Sequence, residues 1–313
     1  MPALTSEKAP KTLWIGGYGP EKSAHGDGLA AFRDHVMNAT AGGLEVEVTW
    51  NIMDEGRPNT DLFDLVESGQ MFLCYFSSSY LGDRVEELNV LETPFLFDSL
   101  ETAHGALDGA LGERLRAAVR SKSPFEALGF WDNGFRHMTN LKHPIHTPVD
   151  CRGLSVRMQP NAIHEALIRA WGAIPVAVEL SQAIQLIVSG SVDAQENPLA
   201  NTVAYGVDKV HPFVTMTGHL YGARGLFANR ALYEELSDDL RAVVDEAVTI
   251  AVHVQRSAAA KLEETLRHNM EIDGVEFVDL SEAERSAFRE ASEPAIAMAV
   301  ESVPGDLYEL VTR

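Results

Sequence analysis

Residues 188–202, VSGSVDAQENPLANT, bring together the end of a helix, a short strand and an abrupt turn. We predict a helix ending at Gly190, a strand over Val192–Gln195 and a turn at 196–198, because proline fixes its own φ and keeps the residue before it out of the helical region. Ligands of α/β proteins meet the carboxyl ends of strands, so Asn197 would offer an amide donor and acceptor to a cleft. A purely structural turn fits these residues equally well.

The composition describes an acidic, folded chain that is long for one hydrophobic core. At 313 residues, two lobes are the natural expectation. The 25 basic and 46 acidic residues give a net charge of −21, which argues against nucleic acid or an anionic membrane surface as a partner. No segment approaches the roughly 20 apolar residues of a membrane span.

The two cysteines and the first residues bear on the compartment. Cys74 lies within an apolar run, and Cys151 is far from it in sequence, so buried thiols are expected instead of a disulfide. The opening MPALTSEKAPK has no apolar segment of the kind a signal peptide needs. Two interpretations stay open: a cytoplasmic protein, or an exported protein whose leader lies outside this sequence.

Strand and helix patterns alternate along the chain, as an α/β fold requires. Residues 71–76, MFLCYF, form a continuous apolar run typical of a strand buried on both faces, and Ala127–Trp131 forms another strand. Apolar residues recur at helical spacing through Ser237–His268, which predicts a long helix able to span both lobes. Ser281 and Glu284 predict a capping box at the start of the last helix.

Catalytic and metal-binding motifs do not stand out in the sequence. His164 and Glu165 lack the second histidine of HExxH, and there is neither a G-x-S-x-G elbow nor a Cys/His cluster at ligand spacing. We therefore expect no catalytic residues, no metal and no cofactor, and we predict a protein that is not an enzyme.

Arginine on predicted strands is the feature that points to binding. Arg157 alternates with Val156 and Met158, so its side chain points away from two apolar neighbours. A buried arginine needs a partner: either a carboxylate of the protein, or a ligand carboxylate held bidentately by the guanidinium fork. Arg136 ends a similar segment and has the same two interpretations.

Five segments also carry a resemblance to a known family: GRPNTDLFDLVESGQ (56–70), LETPFLF (91–97), GFWDNGFRHMTN (129–140), RGLSVRMQPN (152–161) and SVDAQENPLANT (191–202). Together they resemble the DctP-type solute-binding proteins of TRAP transporters, the tripartite ATP-independent periplasmic type. The resemblance covers nearly the whole chain from Lys11 on. It implies a periplasmic protein with two α/β lobes around a ligand cleft, which captures a small organic anion and delivers it to membrane permease subunits.

Site residues and lobes follow from this resemblance. The family's hallmark arginine, which grips the ligand carboxylate, falls on Arg157; its partner asparagine falls on Asn197, and a second, less universal arginine falls on Arg136. Lobe I is predicted to comprise residues 1–133 with roughly 223–262, and lobe II residues 134–222 with roughly 263–313.

The chain departs from the family pattern in one segment. Many members carry an aromatic ligand contact followed two residues on by an acid, whereas this chain has Leu180 and Gln182, with Glu179 directly before Leu180. Glu179 therefore adds a carboxylate close to the expected pocket. Three aromatic residues at predicted strand ends are candidates for the pocket wall, with plain core packing as the alternative for each: Tyr18, Phe76 and Trp131.

Two arrangements of charge fit such a site. Glu179 and Asp132 are predicted to lie at strand-to-loop junctions that face the cleft. They could neutralise Arg157 and Arg136 and leave a site for a neutral molecule, a small amine or an amino alcohol. Alternatively, one arginine is paired with an acid while the other holds a ligand carboxylate. We favour the second arrangement, because a desolvated arginine gains most from an anion that fits its fork.

The predicted function is therefore an extracytoplasmic solute-binding protein of a TRAP-type transporter, with an organic acid as ligand. A small amine in the same transport role is the first alternative. A cytoplasmic α/β enzyme is the competing class, and a signal sequence upstream in the genome would exclude it.

Overall fold

Nine strands and twelve α-helices alternate along residues 12–311, the part of the chain described by the computed structural model. The strands are β1 (Thr12–Gly16), β2 (Glu45–Thr49), β3 (Leu73–Ser77), β4 (Phe125–Asn140), β5 (Ser155–Met158), β6 (Ile174–Ala177), β7 (Ala194–Asn197), β8 (Phe213–Asn229) and β9 (Glu276–Val278). The helices are α1 (Ala24–Ala39), α2 (Asp61–Glu67), α3 (Leu100–Asp108), α4 (Ala110–Lys122), α5 (Ala162–Ala170), α6 (Leu180–Val188), α7 (Leu199–Ala204), α8 (Arg230–Glu235), α9 (Asp238–Ile272), α10 (Glu282–Ala291), α11 (Glu293–Ser302) and α12 (Asp306–Glu309).

The chain divides into two compact units, each made of three segments. Unit 1 contains residues 12–77, Gly112–Asp132 and Arg224–Ala260. Unit 2 contains Ser78–Leu111, Asn133–Ala223 and 261–311. The chain passes from one unit to the other within β4, β8 and α9, so continuous elements connect the units. The long helix predicted over Ser237–His268 is α9, which has residues in both units.

Unit 1 has a sheet in which β1 lies between β2 and β3 and runs parallel to both. On its other side, β3 pairs antiparallel with the last residues of β8. All five residues of β3 are buried, as its apolar sequence predicts. Ser23 begins α1 by accepting a hydrogen bond from the backbone N–H of Gly26 at 3.1 Å, the usual role of an N-cap serine.

Unit 2 is organised around β7, which pairs antiparallel with β4 and parallel with β5. Strand β6 continues the sheet beside β5, and β9 pairs with β8. One apolar cluster packs Val156 and Met158 of β5 with Trp171 and Phe288, whose rings meet edge to face at 4.9 Å. The capping box predicted from Ser281 is present at the start of α10, but α10 is not the last helix as predicted, because α11 and α12 follow it.

Three boundaries differ from the sequence prediction. Strand β7 begins and ends two residues later than predicted, so Asn197 is the last residue of the strand itself. Strand β4 runs without interruption over Phe125–Asn140, so Asp132 and Arg136 lie within a strand and not at a strand-to-loop junction. The predicted lobe I also included residues 78–111, whereas this segment packs in unit 2.

The packing of residues 78–111 explains the last difference. Phe95 belongs to the apolar cluster of unit 2, and its backbone N–H donates to the carbonyl of His219 at 2.8 Å. The Thr93 hydroxyl lies 2.8 Å from the Tyr308 hydroxyl, near the end of the chain. These contacts join residues far apart in sequence, so an assignment by chain order misses them.

Both cysteines are buried free thiols, as expected. Burial raises the pKa of Cys151 to about 12 and that of Cys74 further. Among the helices of residues 12–311, none combines the length and the apolar character needed to cross a membrane.

Candidate functional site

Residues of β5 and β7 divide between the two faces of the sheet in unit 2. Arg157 is aligned with Gln195 in the parallel pair, so their side chains lie on one face, and Asn197 shares that face because it follows two residues later. Val156 and Met158 lie on the opposite face, within the apolar cluster. The alternation predicted around Arg157 is therefore present.

The guanidinium of Arg157 is buried and lacks a carboxylate partner. Its side chain is 2% exposed. Nη2 donates to the carbonyl oxygen of Val178 at 2.9 Å, whereas Nε has no hydrogen-bond partner in the described part of the chain. No acidic side chain of residues 12–311 lies within salt-bridge distance of this group. Burial lowers the pKa of Arg157, and repulsion from Arg136 acts in the same direction.

Arg136, in contrast, is fully engaged with Glu196. Nε of Arg136 contacts Glu196 Oε2, and Nη2 donates to Oε1 at 2.7 Å and to the Glu196 carbonyl at 2.8 Å. The two side chains are 2% and 1% exposed. Burial alone would raise the pKa of Glu196, but Arg136 and His219 hold it well below its ordinary value. This arrangement is a buried, bidentate ion pair.

Two buried histidines lie near this ion pair and act on the charge of Glu196. His219 Nε2 lies 3.5 Å from Glu196 Oε2, and its Nδ1 lies 2.7 Å from the Thr217 hydroxyl. Burial lowers the pKa of His219 to about 4, although Glu196 partly offsets the effect, so the imidazole is neutral at pH 7. His164 Nε2 lies 2.7 Å from a carboxylate oxygen of Glu92, and both side chains are buried.

The side chain of Asn197 takes part in a chain of amide hydrogen bonds. Its Nδ2 donates to Gln195 Oε1 at 3.2 Å, and its Oδ1 accepts from Asn201 Nδ2 at 3.1 Å. Asn201 also donates to Asn133 at 3.0 Å. An amide has two N–H groups and two acceptor lone pairs, so one of each on Asn197 is not used by these bonds.

Glu179 and Leu180 lie where β6 leads into α6. Glu179 occupies the N-cap position of α6, but its side chain makes no capping hydrogen bond. Burial raises the pKa of its carboxyl, whereas a hydrogen bond from Tyr80 and the charge of Arg157 act to lower it. Leu180 is the first residue of the helix and is 7% exposed.

Unit 1 holds the three predicted wall aromatics in one cluster. Tyr18 stacks obliquely on Phe76 at 4.7 Å and on Tyr75 at 5.3 Å, and Trp131 lies 5.4 Å from Tyr75. The indole Nε1 of Trp131 is buried and finds no hydrogen-bond partner within residues 12–311. Phe76 also packs on Phe63 at 4.4 Å, which is the environment of a core residue.

Gly17 permits the close packing of this aromatic cluster. A Cβ at Gly17 would lie 2.0 Å from the ring of Tyr75, and the Tyr75 hydroxyl accepts a hydrogen bond from the Tyr18 backbone at 3.1 Å. The guanidinium carbon of Arg224, a residue that the sequence did not single out, lies 4.6 Å from the Tyr18 ring and 5.4 Å from the Tyr75 ring. These are cation–π distances.

Asp132 has a structural role in unit 1. Its backbone N–H donates to the side-chain oxygen of Gln255 at 2.9 Å, and its carbonyl accepts from the side-chain nitrogen of Gln255 at 2.8 Å. This reciprocal pair ties β4 to α9. Within residues 12–311, no group of three or more His, Cys, Asp or Glu side chains is placed to hold a metal ion.

Comparisons with known proteins agree with this fold. The chain is similar to the sugar-acid-binding protein DctPAm of Advenella mimigardefordensis, solved with galactonate, with a TM-score of 0.91, 25% identity and 97% of each chain covered. It is also similar to a TRAP periplasmic solute-binding protein of Polaromonas sp. JS666, bound to D-erythronate, with a TM-score of 0.90, 27% identity, and 96% of this chain and 98% of that chain covered. The fold is that of a TRAP-type periplasmic solute-binding protein.

Sequence relatives define the family. The 2,3-diketo-L-gulonate-binding periplasmic protein YiaO of Escherichia coli is 26% identical over 92% of this chain and 86% of its own length. A solute-binding protein of Verminephrobacter eiseniae is 31% identical over 72% of this chain and 67% of its own length. The family model described as bacterial extracellular solute-binding protein, family 7 (DctP), matches residues 15–302. The chain belongs to this family.

Proposed function

We propose that the protein captures a small organic acid and that Arg157 holds the carboxylate of this ligand. The observation that supports the proposal most strongly is the buried Arg157 guanidinium, which lacks a carboxylate partner within residues 12–311 and has an unused donor at Nε. A buried charge without a partner is costly, and an anion that fits the fork would relieve this cost.

The pairing of Arg136 with Glu196 supports the same assignment. The sequence allows two arrangements of charge. In one of them, one arginine is paired with an acid of the protein, and the second arginine is left to bind the ligand. The bidentate contacts of Glu196 on Arg136 fit that arrangement, although Glu196 takes the place expected for Glu179 or Asp132. In our proposal Arg136 positions the site through its charge, and Arg157 makes the main ligand contact.

Asn197 is proposed as a hydrogen-bonding partner of the ligand. It shares a sheet face with Arg157, and its amide has one donor and one acceptor position that residues 12–311 leave unused. In unit 1, Tyr18, Phe76 and Trp131 are proposed as wall residues. Trp131 is the strongest of these candidates because its buried N–H lacks a partner.

Transport, not catalysis, is the proposed role. The family consists of transport solute-binding proteins, and relatives such as YiaO are named periplasmic. We therefore propose that this protein acts in the periplasm, delivers its ligand to TRAP membrane permease subunits and converts no substrate.

A thermal-shift screen of small organic acids, amines and amino alcohols tests the ligand class. A true ligand raises the melting temperature by mass action, and the shift grows with ligand concentration. We expect stabilisation by organic acids alone, and mass spectrometry of each incubated compound should show it unchanged. Stabilisation by amines and not by acids would overturn the carboxylate assignment. Turnover that survives repurification would overturn the non-catalytic role.

A further inference from the structure

Glu179 presents an acceptor that no described residue of the chain uses. An acidic or polar N-cap side chain ordinarily accepts hydrogen bonds from the first turn of its helix, but Glu179 makes none to α6. Its Oε2 atom is buried and has no hydrogen-bond partner among residues 12–311. Burial raises the pKa of this carboxyl, which means that the site penalises its charge. A hydrogen-bond donor brought by a ligand would offset that penalty.

Arg157 presents the complementary unused donor in the same unit. Its Nε is buried without a partner, while its Nη2 bonds to the carbonyl of Val178, the residue directly before Glu179. The charge of Arg157 acts on the pKa of Glu179, so the two groups are electrostatic neighbours. Nevertheless, no salt bridge joins them. Arg157 Nε is therefore a buried donor, and Glu179 Oε2 a buried acceptor, that no residue of 12–311 uses.

We propose that Arg157 and Glu179 together recognise an organic acid that carries a hydrogen-bond donor, a hydroxyl or an ammonium group, on the carbon next to its carboxylate. The carboxylate accepts from the guanidinium of Arg157, and the neighbouring donor bonds to Glu179. This inference rests on the proposed carboxylate-binding function and adds a specificity-determining residue to it.

A different role for Glu179 would be to hold the Tyr80 side chain, with which it forms a hydrogen bond. The two roles differ in one measurable respect. If Glu179 only positions Tyr80, its replacement weakens all acids to the same extent. If it accepts from the ligand, its replacement weakens only those acids that carry the donor.

Matched sets of acids that differ only at this carbon provide the test. Calorimetry compares malate, aspartate and succinate, and likewise 2-hydroxybutanoate, 2-aminobutanoate and butanoate, on the wild type and on Glu179→Ala. We expect the wild type to bind the donor-bearing member of a set about 10- to 100-fold more tightly, as for a hydrogen bond to a charged group. We expect Glu179→Ala to remove that preference and to leave the affinity for the acid without a donor nearly unchanged.

Two further variants sharpen the result. Glu179→Gln keeps an acceptor but removes the charge, so it should retain a preference for the hydroxyl acid and lose one for the amino acid. Glu290→Gln, at an exposed position of α10, should match the wild type. A hydroxyl acid bound more tightly than its amino counterpart assigns the donor as hydroxyl, and the reverse order assigns it as ammonium.

The outcomes also separate this inference from the function on which it rests. Equal wild-type affinity within a set, a preference that survives Glu179→Ala, or uniform weakening by Glu179→Ala would overturn the inference and leave the carboxylate-binding function standing. Failure of the wild type to bind any organic acid would overturn both. Unfolding curves of each variant accompany the titrations, and Glu179→Gln provides the comparison if the alanine variant does not fold.

Discussion

The carbonyl oxygen of Val178 accepts a 2.9 Å hydrogen bond from Nη2 of Arg157, and within residues 12–311 this is the only hydrogen bond of that guanidinium. The bond fixes one edge of the fork against the end of β6. The remaining N–H groups have no protein acceptor in the described chain, although the side chain is 2% exposed. A group that is both oriented and unsatisfied is what a carboxylate-binding site needs before its ligand arrives.

Arg157→Lys should lose most of the ligand affinity although it keeps the charge. A lysine cannot make two parallel hydrogen bonds to a carboxylate, nor can it hold the Val178 carbonyl in the same geometry. We expect a loss of about 2–4 kcal/mol in binding free energy, the range for losing one side of a buried charge pair. Calorimetry with the best acid from the thermal-shift screen measures this loss.

The matched control for that substitution is Arg169→Lys. Arg169 lies on α5, its side chain is 63% exposed, and it pairs with Glu165 one turn away, so its replacement should not alter affinity. Near-native affinity of Arg157→Lys, with an intact fold, would contradict the assignment of Arg157 as the ligand clamp.

Glu196→Gln should lower the free energy of unfolding. The substitution leaves the buried guanidinium of Arg136 without its carboxylate. Loss of one partner of a buried ion pair costs about 3–5 kcal/mol in the free energy of unfolding. Urea titration of the variant measures the cost, with the exposed Glu290→Gln as reference. An unchanged urea midpoint would show that the pair contributes no net stability.

Acid should weaken the fold between about pH 6.5 and pH 4 in part through His219. Burial lowers the pKa of this histidine from 6.5 to about 4, so over this interval the unfolded chain binds a proton that the folded chain does not. The free energy of unfolding therefore falls as the pH falls through this interval. His211, whose pKa burial also lowers to about 4, contributes with the same sign.

His219→Gln should reduce by one the number of protons that the chain takes up on unfolding in this pH interval. The slope of unfolding free energy against pH should decrease by about 1.4 kcal/mol per pH unit between these limits. His268→Gln, at an exposed position of α9, should keep the wild-type slope. Parallel curves for His219→Gln and the wild type would mean that His219 is not held neutral by its environment.

The sequence predicted the fold and the family well because both depend on patterns repeated along the chain. Apolar runs such as MFLCYF predicted buried strands, and helical spacing predicted α9. The alternation around Arg157 also placed its side chain correctly, away from the apolar neighbours on either side. These signals are local: the spacing of apolar residues along a short segment determines which side chains share a face of a strand or helix.

Long-range pairing was the part that local patterns could not give. The sequence offered many carboxylates for Arg136, and only the alignment of β4 with β7 selects Glu196. The sequence did contain one signal for this pairing. On β7, Glu196 alternates with Gln195 and Asn197, so it lies on the same face as the apolar Ala194, where a buried acid needs a partner. The prediction that Asp132 lies at a strand-to-loop junction was wrong because β4 continues through this residue.

Trp131 should be the tryptophan that reports ligand binding. Its buried indole N–H has no partner, and its ring lies in the same cluster as Tyr75 and His25, at 5.4 and 6.0 Å. If the ligand contacts this ring, as proposed, binding changes the polarity and hydrogen bonding that set its fluorescence. We expect a ligand-dependent emission change in the wild type that is lost in Trp131→Phe, together with a weakening of affinity of about tenfold for one hydrogen bond.

Trp171→Phe gives the matched control for the fluorescence measurement. Trp171 is equally buried, but its indole N–H already donates to Ser292 at 3.0 Å and its ring packs on Phe288 within the core of unit 2. Its loss should lower the total emission and leave the ligand-dependent change in place. The two variants can be compared directly because each substitution removes one of the four tryptophans. A response that persists in Trp131→Phe and vanishes in Trp171→Phe would remove Trp131 from the proposed wall and return it to the core packing of unit 1.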